Sequence, residues 1–304
     1  MSNNQSINSL LASITSGMAD AVEEIAGLTV LVNARKRLPV SGLLLRPTEI
    51  VTVDHGVEKE DDIEIIVQGT GLVKGKLVGR DPGTDLAVIR LDKAITGLVV
   101  ARPATARVGM PVMMVGRPEP TGHQASFGII TMVGSGLRTI KGSVLEHYIA
   151  TDAIPYPGFS GGALMTLEGG WLGVNTSGLV GGMSLAVPAS LVMSVFDQIS
   201  QYGRVKRGYV GIRSQQVEIP AGQQQSLPDS RTSGLLVVGV EQGGPAESSG
   251  IMVGDILIGA DTTRLATQDD LVIYLTGDVS GKEIEVQLIR GGELKRIHLR
   301  VGER

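Results

Sequence analysis

Ser160, His55 and Asp85 are the residues whose types and order could do chemistry in this chain. Ser160 lies in the stretch DAIPYPGFSGGALM, residues 152–165, where glycines flank a serine with few charges nearby. Such a run is in the first instance a turn, because glycine takes positive φ without steric cost. To act as a nucleophile, the serine needs a base that removes its proton near neutral pH and a group that orients that base. The chain holds four histidines and no cysteine, so thiolate nucleophiles, disulfides and Cys-ligated zinc are excluded. His298 falls in a distal hairpin, His147 beside Glu146 in a polar stretch, and His123 in the loop EPTGHQ. His55 ends the β-rich run EIVTVDHGVE, where a strand end can hold a side chain rigidly and still expose it. Asp85, in GRDPGTDLAVIRL, sits where a polar turn enters an apolar strand, a place for a half-buried orienting carboxylate.

The elements that must position these residues are short. The chain has 304 residues, 42% hydrophobic and 19% charged, with 3% aromatics and 42 glycines. That length favours about two domains, and the composition indicates a mostly β protein with a Val, Ile, Leu and Ala core. From Leu28 to Val187, short β-branched runs broken by Gly and Pro predict a sandwich or barrel, closed by a helix over PASLVMSVFDQISQYG. Before it, apolar residues at Ile7, Leu11, Ile14, Met18, Val22 and Ile25 predict an amphipathic helix. After it, residues 208–304 hold strands, a short helix at TQDDLVIYLTG and a terminal hairpin turning at Gly291-Gly292, with a polar loop at EIPAGQQQSLPDSRTSG. Three segments result: an N-terminal helix over 1–27, a β domain over 28–203 and a smaller domain over 208–304.

A net charge of −4 gives no general field for phosphate backbones, so nucleic acid is not an expected partner. No apolar stretch is long enough to span a bilayer, and the first residues lack the pattern of a signal peptide. The chain as written is therefore expected in the cytoplasm, or in the periplasm or another extracytoplasmic space if it is a processed form. GTGLVKGKL fails as a phosphate loop, with Thr70 where the first glycine belongs and Leu77 where Ser or Thr belongs. No local metal motif is present, and no metal or other cofactor is expected.

Taken together, TVDHGV, GRDPGTDLAVIRL, TDAIPYPGFSGGAL, GVNT and GYVGI occur in an order that resembles the trypsin-like serine proteases of the HtrA type, from about Met18 to Val301. The resemblance implies a chymotrypsin-like double β-barrel followed by a smaller α+β PDZ domain. It implies a serine endopeptidase acting on unfolded or misfolded proteins, with His55 as general base, Asp85 fixing its tautomer and Ser160 as nucleophile. The Gly158 and Ser160 amides would form the oxyanion hole, with Gly161 and Gly162 leaving room for substrate and for the barrel behind. Ile154, six residues before Ser160, would floor the primary pocket and Val174, Asn175, Thr176 and Ser177 would wall it. Without an acid at its base, that pocket would take Val, Ala or Leu rather than Arg or Lys.

In the second domain Tyr209, Val210, Gly211 and Ile212 match a carboxylate-binding loop that captures peptide C-termini, and Leu271 and Leu275 are placed to line the opposite wall. The family also implies a homo-oligomer, a trimer, with the N-terminal helix as the assembly element. One departure stands out: Phe159 occupies the position where the family usually has Asn. A ring there predicts a loop collapsed at rest. It motivates the alternative of a latent protease scaffold that serves as a chaperone or peptide-binding protein.

Overall fold

The computed structural model describes residues 2–96, 101–224, 227, 231–276 and 279–303. The chain divides into two units, Met1–Val205 and Lys206–Arg304.

The first unit opens with α1 (Ser2–Ala26). Its last turns bury Ala21, Ile25 and Ala26 while Ile7, Leu11 and Ile14 stay exposed, so only the C-terminal half of the apolar stripe finds a partner within the unit. Then follow β1 (Thr29–Asn33), β2 (Val40–Arg46), β3 (Glu49–Val53), β4 (Ile63–Val67), β5 (Gly71–Asp81) and β6 (Leu86–Leu91), which close into an antiparallel barrel in the order β1-β2-β3-β6-β5-β4. β1, β2, β3 and β6 read as nearly continuous apolar runs because both faces are covered, whereas β4 alternates and β5 is partly exposed. In β6, Ala87 and Ile89 fill the barrel with Val30, Val32, Ile50 and Ile65. Leu86 and Val88 point the other way, into a cluster shared with the rest of the unit.

A second ring is formed by β8 (Pro111–Glu119), β9 (Gly122–Arg138), β10 (Val144–Thr151), β11 (Ala163–Thr166), β12 (Gly170–Thr176) and β13 (Leu185–Pro188), preceded in the chain by β7 (Arg102–Pro103), which adds in parallel to β12. The order β11-β8-β9-β10-β13-β12 closes through the β11–β12 pairing. α2 (Ala189–Tyr202) starts after Pro188 and ends at Gly203, whose φ of 75° suits a left-handed cap. His123, expected in a loop, lies at the start of β9 instead. There the short β8–β9 turn draws it into the ladder.

The second unit contains β14 (Gly208–Tyr209), β15 (Ile212–Glu218), α3 (Ala221–Gln224), β16 (Ser233–Val240), α4 (Pro245–Ser248), β17 (Ile256–Ala260), β18 (Thr263–Arg264), α5 (Gln268–Thr276), β19 (Glu283–Arg290), β20 (Glu293–Arg300) and β21 (Gly302–Glu303). Its sheet runs β15-β16-β17-β19-β20, with β18 against β17 and β14 against β21. The β19–β20 hairpin turns on Gly291 and Gly292, both at positive φ, as the two-glycine signal predicts. The polar loop falls partly outside the described residues, at 225, 226 and 228–230, while 221–224 form the one-turn α3.

Candidate active site

The β3–β6 ladder places the candidate base, His55, and the candidate orienting carboxylate, Asp85, side by side. Val53 pairs with Leu86, so the residues just past the end of β3 and just before the start of β6 leave the sheet together. The Asp54 N–H donates to the Asp85 carbonyl at 2.9 Å. The His55 N–H donates to Asp85 Oδ1 at 3.0 Å, and His55 Nδ1 lies 2.7 Å from Asp85 Oδ2. A carboxylate on Nδ1 holds the proton there and leaves Nε2 as the acceptor, the form a general base needs. Asp85 is fully buried and sits at φ 58°, a left-handed conformation that a short polar side chain tolerates. Its Oδ2 also accepts the Thr176 hydroxyl at 2.5 Å. Gly178 backs onto the pair: a Cβ there would lie 2.5 Å from His55 Nδ1 and 2.6 Å from Asp85 Oδ2.

The other half of the site is the turn between β10 and β11. The Phe159 N–H donates to the Tyr156 carbonyl, the Gly162 N–H to the Phe159 carbonyl and the Gly161 N–H to the Asn175 carbonyl. Gly158 and Gly161 have φ of 86° and 87°. A Cβ on Gly161 would stand 1.9 Å from the Ser41 carbonyl oxygen, and one on Gly162 would stand 2.2 Å from that of Val115. These two glycines therefore make room for barrel backbone, and their missing side chains do not face a substrate. Neither Gly158 nor Ser160 uses its amide N–H within the described residues, so both donors are unspent.

One sequence expectation about this turn changes. The Phe159 ring is not collapsed over the site: it is fully buried, packed with Val112, Met114 and Leu164 and set edge-on to Tyr156 at 5.5 Å between centroids. Gly116 makes space for it, since a Cβ there would be 2.8 Å from the ring. Ser160 Oγ, for its part, is hydrogen-bonded to Ser177 Oγ at 3.0 Å, and among the described residues it makes no hydrogen bond to His55.

The residues expected around the primary pocket separate. Ile154 is 55% exposed, too open for the floor of a closed pocket, and its carbonyl accepts the Ser126 hydroxyl. Val174 is fully buried in the core and Asn175 is spent on the Ala163 carbonyl through Nδ2. Thr176 turns to Asp85, and Ser177 alone of that run presents its side chain to Ser160. The wall expected over 174–177 thus fails for Val174 and Asn175, because β12 is covered on both faces.

Beside His55, the buried Asp54 carboxylate joins Arg80 at 3.3 Å and Lys141 at 2.9 Å, the latter from the β9–β10 turn. His123 Nε2 lies 3.0 Å from the Thr29 carbonyl, which can only accept, so Nε2 carries a proton. Burial, offset in part by that bond and reinforced by Arg117, holds the His123 imidazole below its ordinary pKa. His147 and His298 are exposed on strands.

In the second unit, the Val210 and Gly211 carbonyls accept from Ala246 and Glu241, while their own amide N–H groups have no partner among the described residues. Gly211 turns the chain at φ 76° into β15, and β15 is an edge strand. Val210, Ile212 and Leu271 line an apolar cavity with Ile251, Leu265 and Leu299. Leu275 packs on the same core outside that lining. The Tyr209 hydroxyl is engaged by Glu241.

Barrel pair, turn and edge strand together define a trypsin-like peptidase domain followed by a PDZ domain. The family model for a trypsin-like peptidase domain matches residues 40–174, and that for a PDZ domain matches 208–301. The chain is 30% identical over 269 residues to a probable periplasmic serine endoprotease, DegP-like, of Pseudomonas savastanoi pv. phaseolicola, covering 86% of this chain and 55% of the relative. It is 32% identical over 265 residues to the protein of the same name in Halomonas elongata, covering 84% and 54%. The chain thus spans about half the length of these curated relatives. Among solved structures, the serine endoprotease from Yersinia pestis matches with a TM-score of 0.73 at 28% identity, over 94% of this chain and 98% of that one. The HtrA-type protease AlgW with tripeptide matches with a TM-score of 0.78 at 26% identity, over 94% and 97%. The chain belongs to the HtrA-type trypsin-like proteases with a PDZ domain. No helix among the described residues is long and apolar enough to cross a membrane.

Proposed function

We propose that this chain is a serine endopeptidase in which Ser160 attacks the peptide carbonyl, His55 takes its proton and Asp85 stabilises the imidazolium that forms. The observation that carries the reading is the buried Asp85 carboxylate, which grips His55 at two points. For the attack, the Ser160 hydroxyl leaves Ser177 and donates to His55 Nε2. The tetrahedral oxyanion then meets the unspent N–H groups of Gly158 and Ser160. His55 returns the proton to the leaving amine, and water repeats the sequence on the acyl-enzyme.

The substrates in this reading are unfolded polypeptides whose free C-termini seat on the Val210 and Gly211 amides, with strand addition to β15 and an apolar last residue between Val210, Ile212 and Leu271. No acidic side chain occurs among the six residues before Ser160, so cleavage after Val, Ala or Leu is expected rather than after Arg or Lys. The exposed Ile7, Leu11 and Ile14 on α1 fit a homo-oligomer in which another copy covers them. The names of the relatives favour an extracytoplasmic compartment over the cytoplasm. The latent-scaffold alternative loses its motive, because the Phe159 ring lies inside the barrel.

Labelling with a peptidyl phosphonate tests the reading. Mass should be added at Ser160 of the unaltered chain and not of Ser160→Ala, which should also cease to degrade an unfolded protein. Degradation persisting in Ser160→Ala would remove Ser160 from the mechanism.

A further inference from the structure

The Ser160 turn comes from the second barrel, yet the residue that anchors both Gly158 and Ser160 comes from the first. Ser41, in β2, is fully buried. Its Oγ donates to the Gly158 carbonyl at 2.7 Å and accepts the Arg117 N–H at 2.8 Å. Its N–H donates to the Ser160 carbonyl at 2.9 Å, and its own carbonyl accepts the Thr52 hydroxyl at 2.6 Å.

We infer that Ser41 is a positioning residue for the oxyanion-binding amides, an inference that rests on the reading of Ser160 as nucleophile. Gly158 and Ser160 are the two residues whose amides receive the oxyanion, and Ser41 holds the carbonyl of each. Glycine has wide φ and ψ freedom, so the peptide after Gly158 needs a fixed partner if the amide before it is to keep one direction. The Ser41 hydroxyl supplies that partner on the carbonyl side and leaves the N–H unused. It is suited to the place because a hydroxyl donates and accepts at once. An apolar replacement would leave both the Gly158 carbonyl and the Arg117 N–H buried without a partner. Pro118 and the Pro39 carbonyl confine the other side of Gly158, at 2.6 and 3.1 Å from where its Cβ would be. Ser41 never touches the substrate. Its effect passes through the direction of two donors, and misplacing donors by about an ångström can cost on the order of a hundredfold.

The test measures kcat and KM for a reporter peptide and the affinity of a peptidyl boronate, whose tetrahedral adduct presents an oxygen to the amides. In Ser41→Ala, kcat and boronate affinity should both fall about tenfold or more with KM within about twofold, and Ser41→Thr, which keeps the hydroxyl, should recover most of the loss. If Ser41→Ala does not fold, Ser41→Cys, a near-isosteric weak donor, is read in the same way. Boronate affinity and kcat within twofold of the unaltered chain in the folded variant would overturn the inference, as would an equal loss in Ser41→Thr. A reading of Ser160 that is itself wrong is recognised separately: the unaltered chain then takes up neither phosphonate nor boronate.

Discussion

The two halves of the site are held by different means. On the base side, Asp85 and His55 leave paired strands and are fixed by side-chain hydrogen bonds, with Thr176 and Gly178 closing in from β12 and the turn after it. On the side of the proposed nucleophile, Ser160 is carried by a turn held by backbone hydrogen bonds and by serine hydroxyls from other strands, and its own hydroxyl bonds Ser177 instead of His55. The first half is fixed in the geometry that the proposed mechanism uses. The second half is held in its backbone, but the Ser160 hydroxyl rests on Ser177 and has to leave it before it can act as proposed.

The largest expected effect breaks the base side. Asp85→Asn keeps only one of the two oxygens that accept from the His55 backbone N–H and from Nδ1, and its amide admits the wrong tautomer, so kcat should fall by about 10⁴, as in serine triads generally. Phosphonate labelling of Ser160 should slow in step while the melting temperature changes much less. Equal loss of activity and fold would mean that Asp85 is chiefly structural.

Paired glycine substitutions sharpen the contrast. Gly161→Ala places a Cβ 1.9 Å from the Ser41 carbonyl at a φ of 87°, a clash with backbone that has nowhere to go. It should destabilise the first unit by about 3 kcal/mol or more, read in denaturant unfolding. Gly178→Ala meets two polar side chains instead. Displacing His55 from Asp85 should cost about a hundredfold in kcat/KM at smaller cost to stability. The reverse ranking would mean that the base side, too, is held by its backbone.

What could be read from the amino acids follows the same division. Short apolar runs and the His55, Asp85 and Ser160 contexts were legible because strand rhythm and turn chemistry are local. Gly178, Thr176 and Ser41 were not, because their roles arise from contacts between strands far apart in the chain. The run 174–177 reads as one pocket wall in sequence, yet successive β-strand residues face opposite ways. Val174 and Thr176 therefore share a face, the first in the core and the second on Asp85, while Asn175 turns the other way to the Ala163 carbonyl and Ser177, past the strand end, meets Ser160. Phe159 carries no mark in the sequence of which side of its turn it faces. That was decided by Gly116 on the neighbouring strand.

A smaller effect is expected where the nucleophile rests. The Ser160–Ser177 contact joins two neutral hydroxyls, worth about 1 kcal/mol, so it holds back at most about a fivefold share of the form that faces His55. Ser177→Ala should therefore raise the rate of phosphonate labelling by up to about fivefold and leave KM unchanged. A tenfold fall would instead assign the Ser177 hydroxyl to assisting Ser160.

The smallest effect concerns the seam between the barrels, where His123 of β9 reaches the Thr29 carbonyl at the start of β1. Burial first, with Arg117 nearby, holds this imidazole below its ordinary pKa, the Thr29 bond opposing the shift. Between that depressed value and the unfolded value of about 6.5, the unfolded chain binds the proton and the folded chain does not. Stability contributed by neutral His123 is thus complete above the unfolded value and declines as pH falls through it. Melting of the protease unit should accordingly shift to lower temperature on acidification below about pH 6.5. His123→Gln, which keeps a donor for Thr29 but cannot titrate, should flatten that slope without altering the rate at which Ser160 is labelled at neutral pH. A slope unchanged in His123→Gln would place the acid sensitivity on other groups and leave the seam indifferent to pH.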